Sequence, residues 1–125
     1  MQQTIILIGL FFCHWLADYT HLSTKEMLEA KRFGTPLFPI FIHASMHAML
    51  MGLMLSIFMK PNDLWAYLVI LQWVSHFLID LWKGRMNGWF PSLRSPANKF
   101  HWYVFGFDQY LHTLVIITMS MLATS

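Results

Sequence analysis

His43 and His47 stand four residues apart in a run that is otherwise mostly apolar from Leu37 to Phe58. On an α-helix two imidazoles at that spacing project from one face, about 5–6 Å apart at Cβ, and can share a metal ion. Three more pairs repeat the spacing: His14 with Asp18, His76 with Asp80, and Asp108 with His112. Any one pair reads as readily as hydrogen-bonded packing as it does as ligands. Four such pairs, one in each apolar stretch of the chain, point to a shared centre, so the elements that would carry them come next.

Hydrophobic residues make up 57% of the chain and charged residues 11%, against about 45–50% and about 25% in soluble domains. Mean hydropathy is +0.50, and the composition is that of a membrane protein. The 125 residues leave room for about four spans of about 20 residues and for no soluble domain. The expected architecture is all-α and polytopic: a four-transmembrane-helix antiparallel bundle with a short cytoplasmic surface helix. It forms a single integral-membrane domain over residues 1–125, with spans at about 4–22, 37–59, 64–82 and 102–123. No Lys or Arg precedes the first apolar run, and His14 and Asp18 stand where a cleavage site would need small residues, so the run reads as a retained span. The single cysteine, Cys13, excludes an intramolecular disulfide and reads as a buried, inert thiol.

Between the first two spans, Ser23-Thr24-Lys25-Glu26 has the form of a capping box flanked by Leu22 and Met27, opening a short helix that stops at Gly34. Its charges, Lys25, Glu26, Glu29, Lys31 and Arg32, suit a helix on the membrane surface or, equally, a solvated loop helix. Lys60-Pro61-Asn62-Asp63 is a tight turn. From Lys83 to Phe100, Gly84, Asn87-Gly88, Pro91 and Ser95-Pro96 read as turn signals in a basic loop, with Ser95 capping the last helix. Seven of the eight Lys and Arg residues fall in the connections after spans one and three, and only Lys60 lies on the other side. The positive-inside rule then places both termini outside the cytoplasm of a bacterial inner membrane, in the periplasm of a Gram-negative host.

That topology puts all four pairs in the cytoplasmic half, late in the spans that run inward and early in those that run outward. An antiparallel bundle would bring all eight side chains to one level. An acidic residue at mid-span costs about 2.5–3.5 kcal/mol, so three aspartates call for compensation. Two divalent ions and one bridging hydroxide would leave three carboxylates near neutral, whereas one ion would leave a net negative charge, so two ions are expected. Imidazole and carboxylate ligands without thiolate suit zinc first, then manganese or iron. Gln72 is a candidate partner for the face of His76, and Lys83 on that face reads as an interfacial anchor before a substrate clamp. Gln109 follows Asp108 and should point to a different face, while Arg85, with Lys83 and Arg94, could attract an anionic headgroup. His21 and His101 read as unliganded boundary histidines.

The order His14-Trp15-Leu16-Ala17-Asp18-Tyr19, Met27, Lys31, His43, Ser75-His76-Phe77-Leu78-Ile79-Asp80 and Phe107-Asp108-Gln109-Tyr110-Leu111-His112 resembles a small bacterial and phage membrane-protein family catalogued as domain of unknown function 3307. The resemblance covers nearly the whole chain and implies a compact multi-span membrane protein, without supplying an activity. The family is also distantly similar in style to membrane-bound metal-dependent hydrolases.

The expected function is a membrane-embedded dinuclear metal-dependent hydrolase. It would act on a lipid-linked or membrane-accessible ester, phosphoesters first, through a metal-bound hydroxide. Its partners would be the lipid bilayer and a lipid or anionic small-molecule substrate. Alternatives are a di-iron membrane oxidoreductase, since His43-x-x-x-His47 resembles the histidine boxes of membrane desaturases, and a non-catalytic phage-type membrane effector. A metal or proton carrier is a further alternative and would need to be a homo-oligomer. Nucleic acid is excluded because the basic residues are confined to short loops.

Overall fold

Long apolar runs punctuated by proline, glycine and asparagine give five α-helices and no strand. The computed structural model describes residues Met1–Ser125. Helices α1 (Gln2–Tyr19), α2 (Lys25–Phe33), α3 (Leu37–Leu55) and α4 (Asp63–Trp89) are followed by a 3-10 turn (Pro91–Arg94) and α5 (Lys99–Ala123). By length and composition, α3 and α4 are apolar enough to cross a membrane.

The four long helices form a ring in which α1 neighbours α3 and α5, and α4 neighbours the same two. Their directions alternate. One apolar cluster joins Ile6 and Leu10 from the start of α1, Met51 and Leu55 from the end of α3, Leu68 from the start of α4, and Ile116 and Met119 from the end of α5. These side chains are fully or almost fully buried and plug one end of the bundle. The opposite half of the interior is polar. The outer surface is apolar, with Ile8, Phe12, Phe38, Leu53, Ile70, Leu78, Tyr110 and Leu114 all exposed. Such a surface would be costly in water at this extent.

Helix α2 lies against α3 and α4 at the polar end of the ring. Its cap is Thr24, whose side chain accepts from Met27 N at 3.3 Å, and not Ser23 as a capping box requires: the Ser23 hydroxyl is buried without a partner. Gly34 ends the helix in the left-handed region, φ 72°, with its N–H donating to Ala30 O at 2.7 Å. Met27 and Ala30 are buried, so α2 is docked and is not a free surface or loop helix.

The structure corrects four boundaries. The first helix ends at Tyr19 and α3 at Leu55, short of residues 22 and 59. The break expected at Lys83 is absent, and α4 continues to Trp89. Gly84 and Asn87 act there in packing and not in turns. A Cβ at Gly84 would lie 2.6 Å from Gly34 Cα and Lys31 O and closer still to Gly34 N, so only glycine lets the end of α2 approach this far. Asn87 Nδ2 then donates to Arg32 O at 3.1 Å, satisfying a carbonyl in the last turn of α2. The last helix starts at Lys99 and is capped by Asn98, which accepts from Phe100 N at 3.1 Å, and not by Ser95. Asn62 caps α4 as expected, accepting from Trp65 N at 2.9 Å.

Candidate metal centre

The alternating ring brings His14, Asp18, His43, His47, His76, Asp80, Asp108 and His112 together in the polar half of the interior. Each aspartate side chain is at most 6% exposed. All five imidazoles present Nε2 to a carboxylate. His14 Nε2 lies 3.2 Å from Asp18 Oδ2, while His43 and His47 Nε2 lie 2.8 and 3.0 Å from Asp18 Oδ1. On the other side His76 Nε2 is 3.2 Å from Asp80 Oδ2, and His112 Nε2 is 3.2 Å from Asp80 Oδ1 and 3.5 Å from Asp108 Oδ1. The rings of His47 and His76 stack with centroids 3.6 Å apart, tying the two sides together.

Two overlapping groups are close enough to hold a metal ion. Asp18, His43, His47 and His76 offer ligand atoms within 4.8 Å of one another, and so do His76, Asp80 and His112. Three buried atoms on the α4 and α5 side, His76 Nε2, Asp80 Oδ2 and Asp108 Oδ1, have no hydrogen-bond partner. Buried acceptors left in this state are costly, and a cation would satisfy them. The donor set therefore fits a divalent transition ion of the zinc class, with borderline nitrogen and oxygen ligands.

One participant carries no mark in the pair spacing. Lys31 reaches from α2 into the centre, where Nζ lies 3.2 Å from Asp18 Oδ1, 3.1 Å from His43 Nε2 and 3.8 Å from Asp80 Oδ2. Its side chain is 14% exposed. Burial alone would lower the pKa of this ammonium, but the Asp80 and Asp18 carboxylates outweigh burial and hold it above the ordinary lysine range, so it is charged. A surface-helix lysine carries no composition signal for such a position. The available hints were its place among the motif residues and Gly34 three residues beyond it.

The neighbouring polar candidates divide. Gln72 Nε2 is 3.5 Å from His76 Nδ1, beside the one buried imidazole with a side-chain partner at Nδ1; the Nδ1 atoms of His14, His43 and His47 have none. Gln109 does not point away, because its side chain folds back and Nε2 donates to Asp108 Oδ2 at 2.9 Å. Lys83 Nζ is 3.7 Å from Asp108 Oδ2 and 4.9 Å from the Phe105 ring centroid. A cavity of about 500 Å³ opens beside the centre, with Asp18, Lys31, Asp108 and Gln109 on its wall and Arg32, Lys83 and Arg94 also lining it. Arg85 does not line it; its stem packs beside Gly34. Arg94 is held in place by donation from Nε to Asn87 O at 2.9 Å and by the Phe33 ring, 5.0 Å from its guanidinium carbon. His101 also faces the cavity, with Nδ1 2.6 Å from Leu93 O.

No curated protein and no solved structure matches the chain. The chain belongs to the family described as protein of unknown function (DUF3307), whose model matches residues 6–125.

Proposed function

We propose that this protein is a metal-dependent hydrolase of the bilayer, with α1, α3, α4 and α5 as its four spans, acting on a membrane-accessible phosphoester. One observation carries the reading: a buried His and Asp centre with unsatisfied acceptors lies beside a cavity whose wall is cationic. Lys31, Lys83, Arg32 and Arg94 surround that cavity, and four cations around one opening suit an anionic group. The apolar outer surface supports the four-span placement, and the seven basic residues on one side support an orientation with the cavity toward the cytoplasm. The apolar plug formed by Ile6, Leu10, Met51, Leu55, Leu68, Ile116 and Met119 closes the far end. A dead-end cavity suits an enzyme better than a carrier, which needs a way through.

Zinc or a similar ion, when bound, supplies Lewis acidity and lowers the pKa of a water to about 7. The protein supplies the remainder. Lys83 and Arg94 would bind and orient the phosphoryl oxygens, and Lys31 would hold Asp18 in place. Asp108, on the cavity wall with Oδ1 unpartnered, would accept the proton of the attacking water. Gln109, donating to the other oxygen of Asp108, leaves Oδ1 free to do so.

The test is phosphate release from vesicles containing a phosphomonoester lipid, using detergent-purified protein returned to lipid. Turnover should require a divalent transition ion, stop with chelator and fall at least about 100-fold in Asp108→Asn, with metal content retained. Purified protein without metal, or turnover that chelator leaves intact, would sink the reading.

A further inference from the structure

The two ligand groups are not equivalent in what already surrounds them. In the group formed by Asp18, His43 and His47, Lys31 Nζ donates to Asp18 Oδ1 at 3.2 Å and lies 3.1 Å from His43 Nε2. A bare His43 Nε2 accepts from that ammonium, whereas a protonated one donates to Asp18; in both arrangements Asp18 faces a positive charge. All three unpartnered oxygens and imidazole Nε2 atoms of the centre, those of His76, Asp80 and Asp108, lie on α4 and α5. Lys31 is hydrogen-bonded on the Asp18 side but stands off at 3.8 Å from Asp80 Oδ2, as Lys83 does at 3.7 Å from Asp108 Oδ2; the first side therefore has its Nε2 and carboxylate oxygens engaged, while the second keeps His76 Nε2, Asp80 Oδ2 and Asp108 Oδ1 without a hydrogen bond.

Charge gives the same division. Three carboxylates with the Lys31 ammonium that sits among them and one divalent ion sum to zero, and Lys83, 3.7 Å from Asp108 Oδ2 on the cavity wall, adds a further positive charge that a second ion would have to face. The expectation of two ions counted only Asp and His, and the lysine brought by α2 changes that count. A second divalent ion would sit within a few ångströms of a fixed ammonium, and like charges at such a distance repel strongly away from water.

We infer that the centre holds a single divalent transition ion, ligated by His76, Asp80 and His112, and that Lys31 is the built-in second cation, standing where another ion would otherwise bind Asp18, His43 and His47. This deepens the metal-centre reading and rests on it. Three protein ligands leave a tetrahedral ion one position for water, the ligand count of a catalytic zinc site, whereas structural zinc is closed by four; Asp108, whose Oδ1 lies 3.5 Å from His112 Nε2, connects this group to the cavity wall. Lys31 is then a positioning residue: it holds Asp18 and blocks the second ion. Because it arrives on α2, docking of that helix and the metal count are linked.

The experiment is metal stoichiometry on the full chain purified in detergent, loaded with excess zinc and desalted. Wild type should retain one zinc per chain. Lys31→Met, which keeps the apolar stem and removes the charge, should retain two, and Lys31→Arg should stay at one. Two zinc ions in wild type, or one in a Lys31→Met protein of wild-type helicity, overturns the inference while leaving a metal centre standing. No zinc in wild type overturns both. Ligand assignment is read from the visible spectrum of the cobalt-loaded protein, which should be abolished in His112→Ala and kept in His43→Ala, and the opposite pattern overturns the assignment. Should Lys31→Met fail to fold, the wild-type ratio and the cobalt spectra decide.

Discussion

Replacing Gly84 by alanine tests whether the close approach of α2 and α4 assembles the centre. Two effects of opposite sign compete. In a helix interior alanine is favoured over glycine by about 1 kcal/mol, which would stabilise α4. Against this, the new methyl would meet Gly34 Cα and Lys31 O at 2.6 Å, and Gly34 N closer still. These are backbone atoms, and no side-chain rotation relieves them. Reaching ordinary contact at 3.4 Å requires the end of α2 to retreat by about 0.8 Å or more, a strain of the kind that costs about 1–3 kcal/mol. Gly34 cannot swing aside easily, because its N–H closes the helix onto Ala30 and its φ is already positive. With several backbone atoms clashing at once the cost sits in the upper part of that range, about 2–3 kcal/mol, so the strain wins by about 1–2 kcal/mol, or a melting temperature lower by roughly 4–12 °C. A retreat of that size would also lengthen the 3.2 Å contact of Lys31 with Asp18. Thermal unfolding in detergent followed by circular dichroism measures the first effect. A Gly84→Ala protein as stable as wild type, or more so, refutes the docking argument, since helix propensity alone would then have decided the outcome.

Four further outcomes follow from the same contacts. Asn87→Leu removes the donor to Arg32 O and should cost about 1–2 kcal/mol, with faster proteolysis at the α2 end. Thr24→Ala deletes the cap on Met27 N and should cost about 1 kcal/mol, read as a drop in melting temperature with metal content unchanged. Arg94→Gln should raise KM for a phosphoester lipid several-fold with kcat little changed, because it touches the cavity wall and not the buried ligands. Cys13, buried with Sγ 3.6 Å from Leu50 O, should resist maleimide in folded protein and react fully after unfolding in dodecyl sulfate.

The four His and Asp pairs are legible in the sequence because their signal is local: a fixed spacing of four inside apolar runs. Their convergence followed from short connections and alternating direction, which the plug of Ile6, Met51, Leu68 and Ile116 reproduces. What escaped was long-range. Gly84 and Asn87 are common turn residues, and their use against Gly34 and Arg32, 50 and 55 positions away, leaves no periodic trace. The same holds for Lys31, whose charge beside Arg32 on an amphipathic helix is indistinguishable in sequence from a solvated residue. Gln109 misled for a different reason: adjacent helical positions diverge by about 100°, yet a long amide can bend back onto the carboxylate beside it.

The plugged end and the open end of the bundle are not interchangeable, and that asymmetry gives the proposed enzyme a sense of leaflet. A substrate headgroup could reach the ligands only from the side of α2 and the 3-10 turn, so lipids in the opposite leaflet would be invisible to it until they flip. Two vesicle populations of identical overall composition but opposite transverse asymmetry would then be processed at different rates, and the slower would be limited by transbilayer movement and not by the chemistry.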